Sequence, residues 1–320
     1  VYNCYYKGDC GLNSSTVATA VTTDGLASGQ VTYLLNRNQS SDVWRQNIDI
    51  GEKDSNPTLD SSHHIVFYYN NTYTNYCSVH SWKNGICSVC SSVEEPQLVD
   101  DYYEIGNYGN LVWFQQYVDA GNVKINAKLT TNIVANENLL DSSGNVQGTP
   151  KYNWTPIGRG YSSSSDSYNG VFDGIGYSIS GLYGSNIEFY LGLFGKVHNG
   201  TIKNLSIVDS YFGGNSCGQV GTFIGFGYGN IENCYSNATI VGSSYCGGIA
   251  GSNGRTVSNC LYNGKITGES SSNAITADNG DFGKLTNCYY NENCGLSSDR
   301  ATAVTDKQLA SGEVAYLLNS

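Results

Sequence analysis

Apolar and polar positions recur along the second half of the chain with a period in the twenties. Four segments align: TIKNLSI at 201–207, NIENCYS at 230–236, TVSNCLY at 256–262 and KLTNCYY at 284–290. Each segment places an apolar residue two positions before an asparagine. One turn of such a chain cannot bury its apolar face alone, whereas stacked turns form a continuous core. The pattern therefore predicts a right-handed parallel β-helix (a solenoid) in which equivalent side chains form columns.

The aligned asparagines are the clearest of these predicted columns. They are Asn204, Asn233, Asn259 and Asn287, which are 29, 26 and 28 residues apart. Stacked amide side chains hydrogen-bond from one strand to the next, as in other stacked-strand structures. We expect these residues to form a structural ladder with no catalytic role.

Two short helical patterns flank the predicted solenoid. Residues 107–121 predict an amphipathic helix with Leu111, Phe114 and Val118 on its apolar face. A solenoid exposes unpaired strand edges at its ends, so this helix is expected to cap one of them. Near the C-terminus, residues 305–308 (TDKQ) fit a capping box that would begin a second capping helix.

The end of the chain repeats its beginning. Residues 4–12 read CYYKGDCGL and residues 288–296 read CYYNENCGL, while LASGQVTYLLN at 26–36 matches LASGEVAYLLN at 309–319. The offset of 284 or 283 residues predicts a repeating unit, joined in tandem or associating head to tail with copies of itself. The predicted organisation is 1–36 as the end of a preceding repeat with a helical cap, 37–98 as linker strands with a Cys/His knuckle, 99–296 as the capped β-helix and 297–320 as the start of the next repeat.

Composition narrows the function and the compartment. The formal net charge of −11 disfavours a nucleic-acid partner and a polybasic contact with lipids. The sequence contains no stretch of about 18 apolar residues, so direct insertion into a membrane is not expected. The chain has no methionine, which suggests a processed chain or part of a longer one, and its 11 cysteines suggest an oxidising compartment. We therefore expect an extracellular or cell-surface protein.

The cysteines suggest one metal site. Cys77, His80, Cys87 and Cys90 have the spacing of a tetrahedral zinc knuckle, which would be structural because four protein ligands leave no open position. The alternative is a disulfide between two of these cysteines, with the third free or paired between chains. The remaining candidate disulfides are Cys4–Cys10, Cys217–Cys246, Cys234–Cys260 and Cys288–Cys294. Cysteines that align between turns are expected to be either disulfides or packed sulfurs.

The rungs resemble a known family. GLFGKV with GTIKNLSI, GTFIGF with GNIENCYS and GGIAGS with RTVSNCLY are similar to the GLUG-motif repeats of bacterial surface proteins, which include large adhesins and peptidases that cleave immunoglobulin A. The resemblance covers residues 102–296 and implies a parallel β-helix on the cell surface, without catalytic residues of its own. The segment 274–283 departs from the motif, so that rung is expected to be terminal or irregular.

The expected function is a structural or adhesive repeat unit. An alternative is an adhesin that binds glycans or host surface proteins, with Tyr161, Tyr168, Tyr183 and Tyr190 as candidate stacking platforms. A polysaccharide-active enzyme is a further alternative, although Asp166, Asp173 and Asp209 lack the clustered arrangement that such chemistry needs. Seven glycosylation triplets occur, a number that this Asn- and Ser-rich composition also produces by chance; they begin at Asn13, Asn38, Asn70, Asn153, Asn199, Asn204 and Asn237.

Overall fold

The structure is a computed structural model that describes residues 4–11, 15–37, 39, 41–69, 71–76, 80–158, 167–185, 190–214, 218–268, 271–278 and 283–319. It divides into two units, Val1–Ser92 and Val93–Ser320. The predicted boundary at residues 98 and 99 therefore falls inside the second unit. The physical reason is that Gln97–Val99 pairs with Tyr102–Ile105 in a hairpin that belongs to the solenoid sheet.

In its described residues, the first unit contains short strands and two helices. These are β1 (Tyr5–Lys7), β2 (Thr19–Val21), α1 (Thr23–Ala27), α2 (Gln30–Asn36), β3 (Phe67–Tyr69), β4 (Thr72–Thr74), β5 (Trp82–Lys83) and β6 (Ile86–Cys87).

The second unit begins with a hairpin and a helix and continues as stacked strands. These are β7 (Gln97–Val99), β8 (Tyr102–Ile105), α3 (Tyr108–Asp119), β9 (Asn126–Leu129), β10 (Ile133–Val134), β11 (Val171–Asp173), β12 (Ser178–Ser180), β13 (Tyr183–Ser185), β14 (Tyr190–Leu191), β15 (Phe194–Lys203), β16 (Ser206–Val208), β17 (Tyr211–Gly213), β18 (Gln219–Gly221), β19 (Ile224–Glu232), β20 (Tyr235–Ser236), β21 (Thr239–Val241), β22 (Cys246–Gly247), β23 (Ala250–Asn253), β24 (Val257–Tyr262), β25 (Lys265–Thr267), β26 (Thr276–Asp278), β27 (Leu285–Asn291), β28 (Thr302–Val304), α4 (Asp306–Ser311) and α5 (Glu313–Leu318).

The second unit is a parallel β-solenoid of about six turns, which confirms the predicted fold class. Strands of successive turns pair in parallel and in register, so that Ile202 lies beside Ile231. Ile231 in turn lies beside Val257, and Val257 lies beside Leu285. These four positions are the apolar positions that the sequence period aligned. All are inward-facing in the stacked sheet except Leu285, which is partly exposed on the last turn.

Helix α3 packs on the solenoid core, as its pattern predicts. Leu111, Phe114 and Val118 are buried, and the Phe114 ring meets the Phe172 ring edge-on at a centroid distance of 5.9 Å. The Asn107 side chain accepts a hydrogen bond from the Asn110 amide and so caps the first turn of the helix.

The C-terminal helices cover the last turn. Thr305 and Gln308 form the predicted reciprocal capping box at the start of α4. Val314 of α5 is buried in a cluster with Leu261 and Tyr289 of the solenoid. Burial of these side chains removes the exposed apolar face that an uncovered last turn would present.

The two ends of the chain have the same local fold. Tyr5 pairs with Thr19 at one end, and the equivalent Tyr289 pairs with Thr302 at the other. In both copies a glycine with positive φ, Gly29 at 84° and Gly312 at 81°, precedes the second helix. We call residues 4–37 the N-terminal module and residues 288–319 the C-terminal module.

Candidate metal centre and polar columns

A tight hairpin in the first unit holds the predicted metal ligands. Strands β5 and β6 are antiparallel and are joined by Asn84 and Gly85, which both have positive φ. Asn-Gly is the sequence that a two-residue hairpin turn of this twist favours. The chain then turns again, since the Ser91 amide donates to the Cys87 carbonyl at 2.9 Å. These two turns bring His80, Cys87 and Cys90 together.

The three side chains form a compact group. Their ligand atoms all lie within 4.8 Å of one another, and Cys90 Sγ is 3.4 Å from His80 Nδ1. The His80 ring stacks on Trp82 with a centroid distance of 4.6 Å, which fixes its orientation. Burial raises the pKa of Cys87, but amide hydrogen bonds from Cys90 and Val89, together with His80, lower that pKa to about 6. The thiolate form that binds metals is therefore favoured.

This group can hold a metal ion. Around a tetrahedral zinc ion the ligand atoms lie about 3.5–3.8 Å apart, as follows from Zn–S and Zn–N distances of about 2.3 and 2.0 Å. The separation of Cys90 and His80 is close to that range. The fourth predicted ligand, Cys77, lies outside the described residues. The donor set of two sulfurs and one imidazole nitrogen suits a borderline-soft ion such as zinc.

The structure brings the four predicted ladder asparagines into one column. Asn233 Nδ2 donates to Asn204 Oδ1 at 3.0 Å, and the same bond links Asn259 to Asn233 and Asn287 to Asn259, each at 3.0 Å. All four residues have φ between 51° and 54°. The ladder therefore runs along a corner where the backbone turns in the left-handed region, a conformation that asparagine tolerates better than most residues.

Both ends of the ladder are closed by groups that the sequence period does not predict. At one end Asn204 Nδ2 donates to Asp173 Oδ1 at 3.0 Å. At the other end Asn287 Nδ2 also reaches the Leu317 carbonyl of α5 at 3.2 Å. Asp173 also forms an ion pair with Lys203, with Oδ2 3.3 Å from the lysine Nζ. Its carboxylate is thus a structural end of the ladder.

The cysteines next to the ladder form a second column, the thiol column, consisting of Cys234, Cys260 and Cys288. Cys260 lies beside Cys288 in register, and its thiol donates to the Ser258 carbonyl at 3.1 Å. Burial, and then Cys234, raises the pKa of Cys260 well above its usual value. All three thiols are free in the structure, so the predicted Cys234–Cys260 disulfide is not formed.

The other predicted pairs need correction as well. Cys288 has Cys260 as its neighbour. Cys294 lies in the tight turn that follows β27, and its thiol donates to the Leu296 carbonyl at 3.2 Å. Both Cys288 and Cys294 are free thiols. A Cys288–Cys294 disulfide is therefore absent. Cys10 is an exposed free thiol, so it is not bonded to Cys4 either. Cys217, the predicted partner of the buried Cys246, lies outside the described residues.

A polar groove on the solenoid was not predicted. It is a cavity of about 490 Å³ whose lining includes Asp141, Asp209, Asn237, Asn263, Asn291 and Asp306. Four of these, from Asp209 to Asn291, follow one another at spacings of 28, 26 and 28 residues. Each of the four lies four or five residues after an asparagine of the ladder. The alignment that predicts the ladder therefore also contains the signal for this second polar column.

One wall of the polar groove is the loop between Leu139 and Gln147. Thr239 Oγ1 donates to the Gly144 carbonyl at 2.8 Å, and Lys265 Nζ donates to the Ser143 carbonyl. The Asp209 carboxylate holds the start of this loop, because its two oxygens accept the Leu139 and Leu140 amides at 2.9 and 2.8 Å. The solenoid surface and the loop thus form one continuous polar site.

The candidate tyrosines and glycosylation sites occupy varied positions. Tyr168 is fully buried, so it cannot stack on a ligand, whereas Tyr183 stacks on Tyr211 and Tyr190 stacks on Phe226. Asn153, Asn199 and Asn237 are exposed, and Asn204 is committed to the ladder. Tyr161, Asp166, Asn13, Asn38 and Asn70 lie outside the described residues.

Comparison with known proteins gives limited similarity. No family model matches the chain. A stretch of 90 residues, 27% of this chain, is 34% identical to Halomucin of Haloquadratum walsbyi (strain DSM 16790 / HBSQ001), and the chain spans about 1% of that protein. Among solved structures, a Bacteroides ovatus protein named provisionally as an immunoglobulin A1 protease aligns over 70% of this chain and 90% of its own, with 16% identity and a TM-score of 0.35. A likeness at this score says nothing about what the chain does.

Across the part of the chain that the structure describes, no helix has the length and apolar character needed to cross a membrane.

Proposed function

We propose that this chain is a structural or adhesive repeat unit of an extracellular or cell-surface protein, related to the GLUG-motif surface proteins. The observation that carries the proposal is the terminal module that occurs twice with the same strand pairing, Tyr5 with Thr19 and Tyr289 with Thr302. A module repeated 284 residues apart is what successive copies of one unit produce. The repeats join in tandem or head to tail.

Two further observations support this reading. The stretch similar to Halomucin is a very small part of that far longer protein, as expected of a unit within a large assembly. The columns of the solenoid are built from asparagine side chains that hydrogen-bond to one another and from buried cysteine thiols that donate to backbone carbonyls, which suits a framework. Catalysis is not part of the proposal, since Asp173 and both oxygens of Asp209 are committed to structural hydrogen bonds. Turnover of acidic polysaccharides by the purified chain would contradict it.

The polar groove favours a second function, adhesion through a glycan or a protein partner. Its amide and carboxylate groups converge on a cavity of about 490 Å³, and such groups bind hydroxyls and backbone amides. A glycan array tests this with the intact chain. Binding that is lost in Asn263→Ala and kept in Tyr316→Ala, a change at an exposed site outside the groove, would support it; absence of binding to any glycan would leave a protein partner as the ligand to seek.

The Cys/His group completes the proposal as a structural metal site. A hairpin with few apolar contacts gains stability from a bound ion, and zinc fits the donor set of His80, Cys87 and Cys90. The proposed partners are copies of the chain, and glycans or surface proteins; nucleic acid and direct insertion into a membrane are not proposed.

Location and mass test the leading proposal. Intact source cells treated with a protease that cannot enter them should lose the antigen recognised by antibodies to this chain. Antigen that is digested only after lysis would overturn the extracellular assignment. The mass of the natural protein then distinguishes the two forms of assembly, because a mass of several units establishes covalent tandem repeats, whereas a mass near one unit favours assembly from separate subunits.

A further inference from the structure

The two terminal modules differ on the face formed by their first strand. In the C-terminal module, Cys288, Tyr289 and Tyr290 are 4%, 8% and 6% exposed. Their N-terminal equivalents are Cys4, which is exposed, and Tyr5 and Tyr6, which are partly exposed. We call Cys4, Tyr5, Tyr6 and Cys10 the strand face of the N-terminal module.

The difference has a clear cause. Strand β27 of the C-terminal module pairs with β24, the preceding turn, with Cys260 beside Cys288, Leu261 beside Tyr289 and Tyr262 beside Tyr290. It also pairs with β28 on its other edge. Within the described residues, β1 has one hydrogen-bonded strand neighbour, β2. The strand face of the N-terminal module therefore lacks the solenoid turn that covers its second copy.

The helical side of the module, opposite the strand face, is buried in the N-terminal copy and exposed in the C-terminal copy. In the N-terminal module Gly29 and Thr32 are buried and Asn36 is 6% exposed. Asn36 Nδ2 donates to the Trp44 carbonyl at 2.8 Å, which places residues after the module against this side. The equivalents in the C-terminal module are exposed; they are Gly312, Ala315 and Asn319.

The two coverings do not compete with each other. Val31 and its equivalent Val314 are each 2% exposed, so this position is buried in both copies. One covering lies on the strand side and the other on the helical side. A single module can therefore be covered on both sides at once.

Resting on the proposed function, we propose that the strand face of the N-terminal module is a docking surface for the last solenoid turn of a second copy of this chain. The occupant is β24 together with β25 of the neighbouring repeat, in the register that β27 has with β24. Continuity with that interface is the argument, since the same module already occupies it at the other end of this chain. The register places Cys4 beside Cys260, Tyr5 beside Leu261 and Tyr6 beside Tyr262 of the second copy.

The turn after the strand fits the same surface. In the C-terminal module the Ile266 amide donates to the Cys294 carbonyl at 2.7 Å, and Cys294 is 2% exposed. The N-terminal module forms the same turn, because the Cys10 amide donates to the Lys7 carbonyl at 3.0 Å as the Cys294 amide donates to the Asn291 carbonyl. Lys7 replaces Asn291, whose side-chain Nδ2 donates to Asn263 Oδ1 at 2.7 Å. A lysine ammonium at that position can donate to the same oxygen.

Thiol labelling of a two-repeat chain tests the docking. Residues 1–284 are followed directly by residues 1–320, and Cys4 and Cys10 of the first repeat are changed to alanine, so that labelling reports the junction. The maleimide should modify the junction Cys10 at least about tenfold more slowly than Cys10 in the 320-residue chain under reducing conditions, because burial requires local opening before reaction. Equal labelling rates would overturn the proposal.

Matched variants of the two-repeat chain locate the contact. Leu261→Arg in the first repeat should restore fast labelling of the junction Cys10, whereas Leu98→Arg, at an exposed position in the same repeat, should leave labelling slow. Restoration by both variants would contradict the assigned register.

A graft gives an independent measurement in case Leu261→Arg disturbs folding. Residues 285–320 of the single chain are replaced by residues 1–36, and the melting temperature is compared with that of the natural chain and of a chain carrying a scrambled 1–36. A graft with the melting temperature of the natural chain supports the docking surface, and a graft with the melting temperature of the scrambled chain refutes it. Neither experiment depends on where the natural protein is located, so failure of the extracellular assignment and failure of the docking are distinguishable.

Discussion

Asn259 Nδ2 donates a hydrogen bond of 3.0 Å to Asn233 Oδ1, and both residues have positive φ, 52° and 54°. One residue type thus meets two requirements at this corner of the solenoid. Its backbone turns the chain into the next face, and its amide links the turn to its neighbours. Glycine would meet the first requirement alone, and alanine would meet neither.

Substitutions at Asn233 should separate the two contributions. Asn233→Ala is expected to lower the free energy of unfolding by about 2–4 kcal/mol, since it loses two amide hydrogen bonds and strains a left-handed position. Asn233→Gly should cost about 1–2 kcal/mol less than alanine, because its backbone is unstrained. Urea unfolding followed by circular dichroism measures both. Equal losses for the two variants would show that the backbone conformation contributes nothing.

The thiol column should be inert in the native protein and sensitive to alkali on unfolding. Burial raises the pKa of Cys260 above its ordinary value of 9.0, so this group favours the folded state below that pH. Stability should decrease as the pH rises above about 9, because the unfolded thiol then loses its proton and the folded one does not. Cys260→Ala should reduce this decrease. Urea unfolding at pH 8 and pH 10 checks the slope, and an unchanged slope in the variant would contradict the assignment.

Native-state labelling gives a second check on the thiol column. At pH 8 a maleimide should modify the exposed Cys10 and leave Cys234, Cys260 and Cys288 unmodified until the protein unfolds. Peptide mass mapping identifies the modified residues. Rapid modification of Cys260 in folded protein would show that the column is open to solvent.

The Cys/His group should bind one metal ion per chain. Cobalt added to the reduced chain is expected to give the absorption of a tetrahedral thiolate site, and Cys87→Ser should abolish that absorption. Cys10→Ser is the control, since Cys10 is an exposed thiol elsewhere in the same unit. Zinc at 100 times its dissociation constant should stabilise the first unit by about 2.7 kcal/mol, which thermal unfolding with and without a chelator measures. Identical melting in both conditions would contradict a structural role.

The stability of the C-terminal cap should depend on the side chain of Val314 and not on that of Tyr316. Val314 is buried against Leu261 and Tyr289, so Val314→Ala should cost about 2 kcal/mol through lost burial and a residual cavity. Tyr316 is 74% exposed, and Tyr316→Ala should change stability by no more than about 0.5 kcal/mol. Urea unfolding of both variants provides the comparison; an equal effect would mean that α5 does not cover the last turn.

The periodic features of the fold could be predicted from the sequence. Ile202, Ile231 and Val257 lie in one column because each turn repeats the same local pattern, and a solenoid stacks equivalent positions. Helix α3 and the capping box at Thr305 were likewise readable, because a helical apolar face and a cap depend on residues three or four positions apart.

Pairing among the cysteines could not be read in this way. The sequence places Cys234, Cys260 and Cys288 at equivalent positions, but three equivalent thiols do not determine which two would bond. Their free state and their hydrogen bonds to backbone carbonyls belong to the folded column. The metal group could be predicted only in part. The spacing of its ligands is visible in the sequence, whereas the stacking of His80 on Trp82 is not.

The sequence alone determined that the chain is a stack of turns with repeated ends, because short-range periodicity and identity are properties of the letters themselves. Only the tertiary structure decided what closes the stack and what lines its surface. Asp173 ends the ladder, and the Gly144 carbonyl meets Thr239 across 95 residues of sequence. Such contacts join positions outside the repeating pattern, so their partners are fixed by how the chain packs in space and by no period along it.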